Sequence, residues 1–479
     1  MIPVLLISIP LLSGLITFFL KNERTIKSWA LLSSIATLVV SLFSLGMISS
    51  NGQLRFDAEW LPLLGSRFTV SLDGMGKMIT LLTAISFPVI FAATYKNSYS
   101  KPGSFYALML LSQAGLMGVF CAADLLLFYF FWELALIPVY FLSSIWGGER
   151  RIQVTFKFFI YTFLGSLLML LGILYVYYQT PGHSLAMSNV YNLSFADGRE
   201  NYLFWLFFIA FAIKMPLFPF HTWQPDTYEQ APTAVTMLLS AIMVKMGVFA
   251  VIRWLLPMFP ETSQSMSHII ILFAVTGMLY ASLIAIKQDD MKRLIAYSSI
   301  AHIGLMGAAM FTLDPSAMQG VMFQMFAHGI NVLGLWITAD VIERQTGTRK
   351  FSELGGLAQK SPTLAILFVT MALANIALPL TNAFIGEFLM FSGLFKYNIW
   401  IASVALISII LAAVYTLWMV QKVFYGNAKE SRLQVVVLPA GTRLMLMILV
   451  IVILVFGVFP QPMIDLTSDT VTKLIAQIK

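Results

Sequence analysis

Runs of about twenty consecutive apolar residues recur from Met1 to about Phe459, and that recurrence leaves few folds open. In hydrocarbon each unpaired backbone group costs several kcal/mol, so runs of this length are expected to cross a bilayer as helices that satisfy their own peptide groups. Only 11% of the 479 residues are charged, against 59% hydrophobic. A soluble chain of this length would form two or three domains of ordinary charge content, so a soluble fold is set aside. The expectation is an all-α polytopic membrane protein.

Windows of about twenty residues predict about fourteen spans. They lie near 2–20, 28–48, 73–94, 104–121, 123–145, 152–178, 202–221, 230–255, 266–287, 292–312, 317–342, 363–395, 400–425 and 440–460, with a short polar tail beyond. The loops KNERTIK, YKNSYSK, GGERRIQVTFK, KQDDMKR, ERQTGTRKFSELGGLAQK and QKVFYGNAKESR, with the loop after span seven, fall on one side and hold roughly eighteen of the 29 Lys and Arg. By the positive-inside rule that side is cytoplasmic, and both termini are expected outside. The first run lacks a positive n-region and is read as a retained helix. A bacterial inner membrane is the expected location, with an organelle inner membrane as the alternative.

Several function classes are disfavoured. The net charge of +7 is explained by topology, because the basic residues sit in short loops, so nucleic acid is not an expected partner. Cys121 is the only cysteine, which excludes a disulfide, a Cys-ligated zinc or an iron–sulfur cluster built from this chain alone. No P-loop occurs, and no GxGxxG follows a strand. The chain is expected to carry no cofactor of its own.

The most anomalous stretch is FAIKMPLFPFHTWQPDTYEQAPTAVTMLLSAIMVKMG, residues 211–247. It places Lys214 and Lys245 in sequence that otherwise reads as membrane-spanning. A charge near the bilayer centre costs at least about 2.5–3.5 kcal/mol, so such residues face a bundle interior or a water path. Pro216 and Pro219 predict a broken helix beside Lys214. The run MALANIALPLTNAFIGEFLMF repeats the oddity, with Pro379 as the breaker and Glu387 beyond it. Paired interrupted helices point to a transport site between internal repeats.

Glu133, His302 and His328 are further polar residues near the middle of predicted spans. With Lys214, Lys245 and Glu387 they suggest a row lying across the protein at mid-membrane, which suits protons, since lysine, histidine and carboxylate are all tunable by burial and pairing. Moving a proton against about 200 mV costs roughly 4.6 kcal/mol, equivalent to about 3.4 pKa units. Burial or loss of a partner can shift a lysine by about 3–5 units. In this reading Glu133 modulates Lys214, Lys245 stores or relays the proton, and Glu387 is the terminal donor. Blander roles remain open: a structural Glu133–Lys214 ion pair, a packing role for Lys245, histidines that are only satisfied core groups, and Glu387 as a helix cap. Asp124, Lys157 and Arg253 read as anchors at span ends.

The motifs FYFFWELALIPVYFLSSIWGG, KMPLFPFHTWQPDTYEQAPT, IKQDDMKRLIAYSSIAHIGLM and NAFIGEF resemble the antiporter-like proton-pumping subunits of respiratory complex I, NADH:quinone oxidoreductase. The resemblance covers about span four to span thirteen. It implies fourteen helices with two inverted five-helix repeats, each containing a broken helix, and hence divisions at 1–103, 104–255, 256–425 and 426–479. It also implies that the glutamate of the WEL motif is Glu133, the lysine before MPL is Lys214, the lysine of VKMG is Lys245 and the glutamate of GEF is Glu387, with His302 and His328 between. A glutamate at the last position resembles the subunit M branch. The implied partners are other membrane-arm subunits, especially neighbouring antiporter-like ones, and the lipid bilayer; FMN, iron–sulfur clusters and quinone would belong to other subunits. The alternatives are the related membrane component of an Mrp-type sodium/proton antiporter, a membrane subunit of an energy-converting hydrogenase, and, from another class, a non-pumping structural subunit.

Overall fold

The computed structural model describes residues 1–47, 54–193, 199–425 and 438–478. The expected division at 426, and part of the basic loop around it, lie outside the described residues. Six helices open the chain in sequence: α1 (Ile2–Thr17), α2 (Glu23–Leu45), α3 (Gly74–Ala93), α4 (Pro102–Cys121), α5 (Leu125–Trp146) and α6 (Arg151–Gln179). Next come α7 (Arg199–Lys214) and α8 (Trp223–Gln230), then α9 (Thr233–Met258), α10 (Pro260–Ile286), α11 (Met291–Met310) and α12 (Pro315–Thr346). The last five are α13 (Pro362–Asn375), α14 (Asn382–Tyr397), α15 (Ile399–Tyr425), α16 (Ala440–Val458) and α17 (Gln461–Ile478).

Ten of these helices are long and apolar enough to cross a membrane. The chain is therefore a multi-span membrane protein. The count of about fourteen is not reached by continuous apolar helices, because four expected crossings fall on short, broken or more polar helices: α1, α7 with the break after it, α11, and α13 with α14. Short polar residues set many of the boundaries. Asn22, Asp73, Asp124, Asp290, Asp314 and Asn398 each accept first-turn amides at the start of α2, α3, α5, α11, α12 and α15, satisfying donors that the helix itself leaves orphaned.

Two features were not legible as expected. The long loop after α2 contains an antiparallel hairpin, β1 (Arg55–Leu61) and β2 (Ser66–Ser71), paired from Arg55↔Ser71 to Leu61↔Ser66. Its turn uses Gly65 at φ +58°, and a Cβ there would lie 1.7 Å from the His183 carbonyl oxygen, so only glycine fits. The polar tail is in fact the amphipathic helix α17. It buries Met463, Thr467, Thr470, Val471, Leu474, Ile475 and Ile478, a spacing of three and four that forms one face at 3.6 residues per turn, and it packs on α3 and α12.

The core sits on α9 and α12, whose apolar windows are wholly buried, whereas α16 and α2 keep most of theirs on the periphery. Helices that are apolar all round and touch no lipid can carry polar groups on any face. Lys245 and His328 are on these two.

Both expected breaks are present. Helix α7 stops at Lys214, irregular backbone over residues 215–222 passes Pro216 and Pro219, and α8 begins at Trp223. Helix α13 stops at Asn375, and α14 begins at Asn382 after Pro379, with Ala377 and Leu380 at positive φ. The two breaks have the same backbone hydrogen bonds. Met215 N to Phe211 O, Leu217 N to Ala212 O and Phe220 N to Leu217 O recur 161 residues later as Ile376 N to Ala372 O, Leu378 N to Leu373 O and Thr381 N to Leu378 O.

Candidate functional site

Four of the six predicted titratable residues form one buried file. On α9, a π turn over Leu239–Met243 loosens the α-helical ladder, and the Ser240 carbonyl accepts from Lys245 Nζ at 2.8 Å. Turns of this kind release carbonyls from the regular i→i−4 pattern. The same Nζ lies 2.7 Å from His328 Nδ1 on α12. The His328 ring is 5.4 Å, centroid to centroid, from that of His302 on α11. His302 Nδ1 lies 3.1 Å from Glu387 Oε1 on α14, and Gln324 Nε2 donates to the same carboxylate oxygen at 3.4 Å. All four members of the file are at most 7% exposed.

This arrangement can hold a proton on any of several bases. In the Lys245–His328 contact one partner must donate and the other accept, so a single proton serves both. The His302 and His328 Nε2 atoms are buried without a protein partner, and such polar points are where folded proteins hold single waters. A cavity of about 20 Å³, the size of one water, is lined by His302, Glu387, Ser408 and Tyr415.

Glu133 and Lys214 stand apart from the file. No salt bridge within 4 Å joins them, and Lys214 Nζ and Glu133 Oε1 are both buried without a hydrogen-bond partner. Lys214 Nζ instead sits 5.7 Å from the centre of the Trp132 ring on α5, a favourable cation–π placement. The structural ion pair left open by the sequence is therefore not formed in this state. The break geometry also corrects a symmetry suggested by the charges. Lys214 is the last residue of its first half-helix, and the residue in its place in the second break is Asn375, whereas Glu387 lies within the second half-helix α14. Nor does Glu387 cap that helix, because its carboxylate is turned to His302.

The residues read as interface anchors have protein partners. Arg253 Nη2 meets Asp73 Oδ1 at 2.6 Å, and Lys157 Nζ meets Asp226 Oδ2 at 2.9 Å. Asp124 caps α5 and accepts from the Ser66 hydroxyl at 2.6 Å. A charge with a geometrically good partner gains little from reaching outward to water.

Sequence reasoning missed several polar neighbours. Gln324 and Asn375 were visible in principle as amides within predicted spans. Ser240, Ser298 and Tyr415 carry no such signal, since hydroxyls are common in membrane helices. Asn375 Nδ2 and Tyr415 OH both donate to Ser298 Oγ, at 3.0 and 3.1 Å, one turn before His302.

Three of the basic loops converge at one end of the bundle. Glu229 at the end of α8 accepts from Arg293 at 2.8 Å and from Arg150 and Arg349 at 3.1 Å. Burial raises the Glu229 carboxyl, but the three guanidinium groups outweigh it and hold the group below the usual carboxylate range. Asp226 is lowered in the same way, burial being outweighed by Lys157 and Arg293. The second half of the first broken helix is thus pinned to α6, α11 and the loop after α12.

Residues 122–412 match the family model described as NADH:quinone oxidoreductase/Mrp antiporter, TM. NADH-quinone oxidoreductase subunit M of Rhodobacter capsulatus is 35% identical over 95% of this chain and 91% of its own length. The F(420)H(2) dehydrogenase subunit M of Methanosarcina mazei is 36% identical over 99% of both chains. A chain of the Thermus thermophilus respiratory complex I, solved with bound NADH, superimposes with a TM-score of 0.90 at 28% identity, covering 99% of this chain and all of that one. Near-complete coverage at these identities, with a superposition at a TM-score of 0.90, leaves one assignment: the chain belongs to the NADH:quinone oxidoreductase/Mrp antiporter membrane family, as an antiporter-like subunit of the subunit M type.

Proposed function

We propose that this chain is a proton-translocating subunit in the membrane arm of a respiratory dehydrogenase, with NADH:quinone oxidoreductase as the favoured complex. The observation that carries the reading is the buried file Lys245–His328–His302–Glu387, which links four helices through titratable groups. Lys214 is the gate to that file. When Glu133 approaches it the ammonium is stabilised; when Glu133 withdraws, the proton moves on to Lys245. Glu387 then donates toward the outside. The required work of roughly 4.6 kcal/mol per proton at about 200 mV lies within what making and breaking one buried Lys–Glu contact supplies.

Electron transfer belongs to partner subunits, since one cysteine cannot ligate a cluster. In this reading the chain holds no flavin, iron–sulfur cluster or quinone, and its neighbours are other antiporter-like subunits. The matching break geometry supports two repeats, 104–255 and 256–425, the convergence of three basic loops supports an orientation with both termini outside, and the bacterial relative supports a plasma membrane. The near-equal identity to the F(420)H(2) dehydrogenase subunit favours a second reading of the donor alone: the same pump driven by a different electron-input module.

Lys214→Ala and Lys245→Ala are expected to abolish proton uptake by inside-out membrane vesicles while the complex still assembles on native gels. Normal proton yield in either variant would refute the gate or the store. Unchanged turnover and yield in Glu133→Gln, Lys214→Met and Lys245→Met would instead favour a purely structural subunit.

A further inference from the structure

Helix α9 is polar on one side of Lys245 and apolar on the other. Toward its start, Thr233, Thr236 and Ser240 are buried polar residues, Ser240 being bonded to Lys245 and, through its hydroxyl, to Trp336 Nε1 at 2.9 Å. Toward its end, Met246, Gly247, Val248, Phe249, Ala250, Val251 and Ile252 are all apolar and buried. The next charged residue is Arg253, eight positions on, about 12 Å along the helix. There the apolar segment ends. Arg253 and Asp73 line an open vestibule of about 380 Å³, together with Lys77, Tyr191, Asp469 and Lys473. The guanidinium is paired with Asp73 at 2.6 Å and lies 5.3 Å from the centre of the Phe249 ring beneath it, and Tyr191 OH donates to the Arg253 carbonyl.

We propose that the Asp73–Arg253 pair, seated on Phe249, is the outward seal of the first half of the pathway: it stops vestibule water from reaching Lys245 and so forces the proton sideways to His328. Paired at this distance the two charges neutralise each other, so neither draws water into the apolar segment, whereas either one left alone and buried would. This inference rests on the proposed role of Lys245, but its principal readout does not require turnover.

The test uses membrane vesicles containing the assembled complex, an imposed pH gradient and no electron donor. Asp73→Asn and Arg253→Met are each expected to make the gradient decay about tenfold faster than in wild type. With donor present they should lower the proton yield while leaving electron transfer in place. A wild-type decay rate in either assembled variant overturns the proposal, and so does a loss of pumping without a leak, which would make the vestibule an outlet. If the single variants do not assemble, the double variant Asp73→Leu/Arg253→Met removes both charges and keeps an apolar packing pair. It is expected to assemble and to be as tight as wild type; a leaky double variant overturns the mechanism.

Discussion

The latch on the first broken helix gives a quantitative prediction. Glu229→Gln keeps the side-chain shape but removes the charge that three arginines share. Arg150 is more than half exposed, so its contribution is about 0–1 kcal/mol. Arg293 and Arg349 are about three-quarters buried, and Glu229 is 12% exposed. Deleting one partner of a fully buried pair costs about 3–5 kcal/mol. Here the loss is smaller, because Arg293 keeps Asp226 at 3.0 Å and Arg349 keeps Asp290 and Glu343. About 2 kcal/mol is expected, which multiplies the population with α8 released by about thirtyfold. Hydrogen exchange on the purified complex reads this at two amides. Gly148 N donates to the Gln230 carbonyl at 2.7 Å, and Ala231 N to Thr227 at 2.8 Å; both should exchange about thirtyfold faster at neutral pH. The sign with pH follows from the lowered Glu229 carboxyl. Its stabilisation is fully present above the ordinary glutamate value, about 4.3, and is lost as pH falls through the lower folded value, where wild type and variant should converge. Exchange at both amides within twofold of wild type at neutral pH would refute the reasoning.

Two further outcomes concern packing around the file. Gly247→Ala places a Cβ 2.7 Å from the Met215 amide nitrogen and from the Phe211 carbonyl oxygen, so α7 and α9 must part beside Lys214 and Lys245. Thermal unfolding of the solubilised complex should show about 1–3 kcal/mol of destabilisation, whereas Gly441→Ala, with nothing within 4 Å, should be neutral; equal effects would contradict the packing account. Tyr415→Phe removes the donor to Ser298 Oγ while Asn375 still bonds that oxygen. Its expected cost is about 1 kcal/mol in the same assay, and a loss above about 3 kcal/mol would mean that the hydroxyl holds more than this one contact.

What the chain settles on its own is what bilayer physics can read in one dimension. Apolar runs of membrane length, charges that hydrocarbon penalises and prolines that end helices give the class of fold, both broken helices and the six titratable candidates without reference to any contact. The hairpin and the amphipathic α17 were less legible, since a two-stranded ribbon and a half-polar helix become stable only by packing on the bundle. Tertiary structure alone decided which candidates touch. Lys245, His328, His302 and Glu387 come from four different helices, and their contacts depend on crossing geometry and on a π turn that no residue pattern announces. It also decided that Glu133 and Lys214 are apart in this state, that Asn375 rather than Glu387 mirrors Lys214 at the break, and that Arg253 faces Asp73 across the bundle. The physical reason is common to all three. Hydropathy fixes how deep a residue lies along its own helix, but the direction its side chain takes depends on which neighbours the packed helices bring within hydrogen-bonding reach.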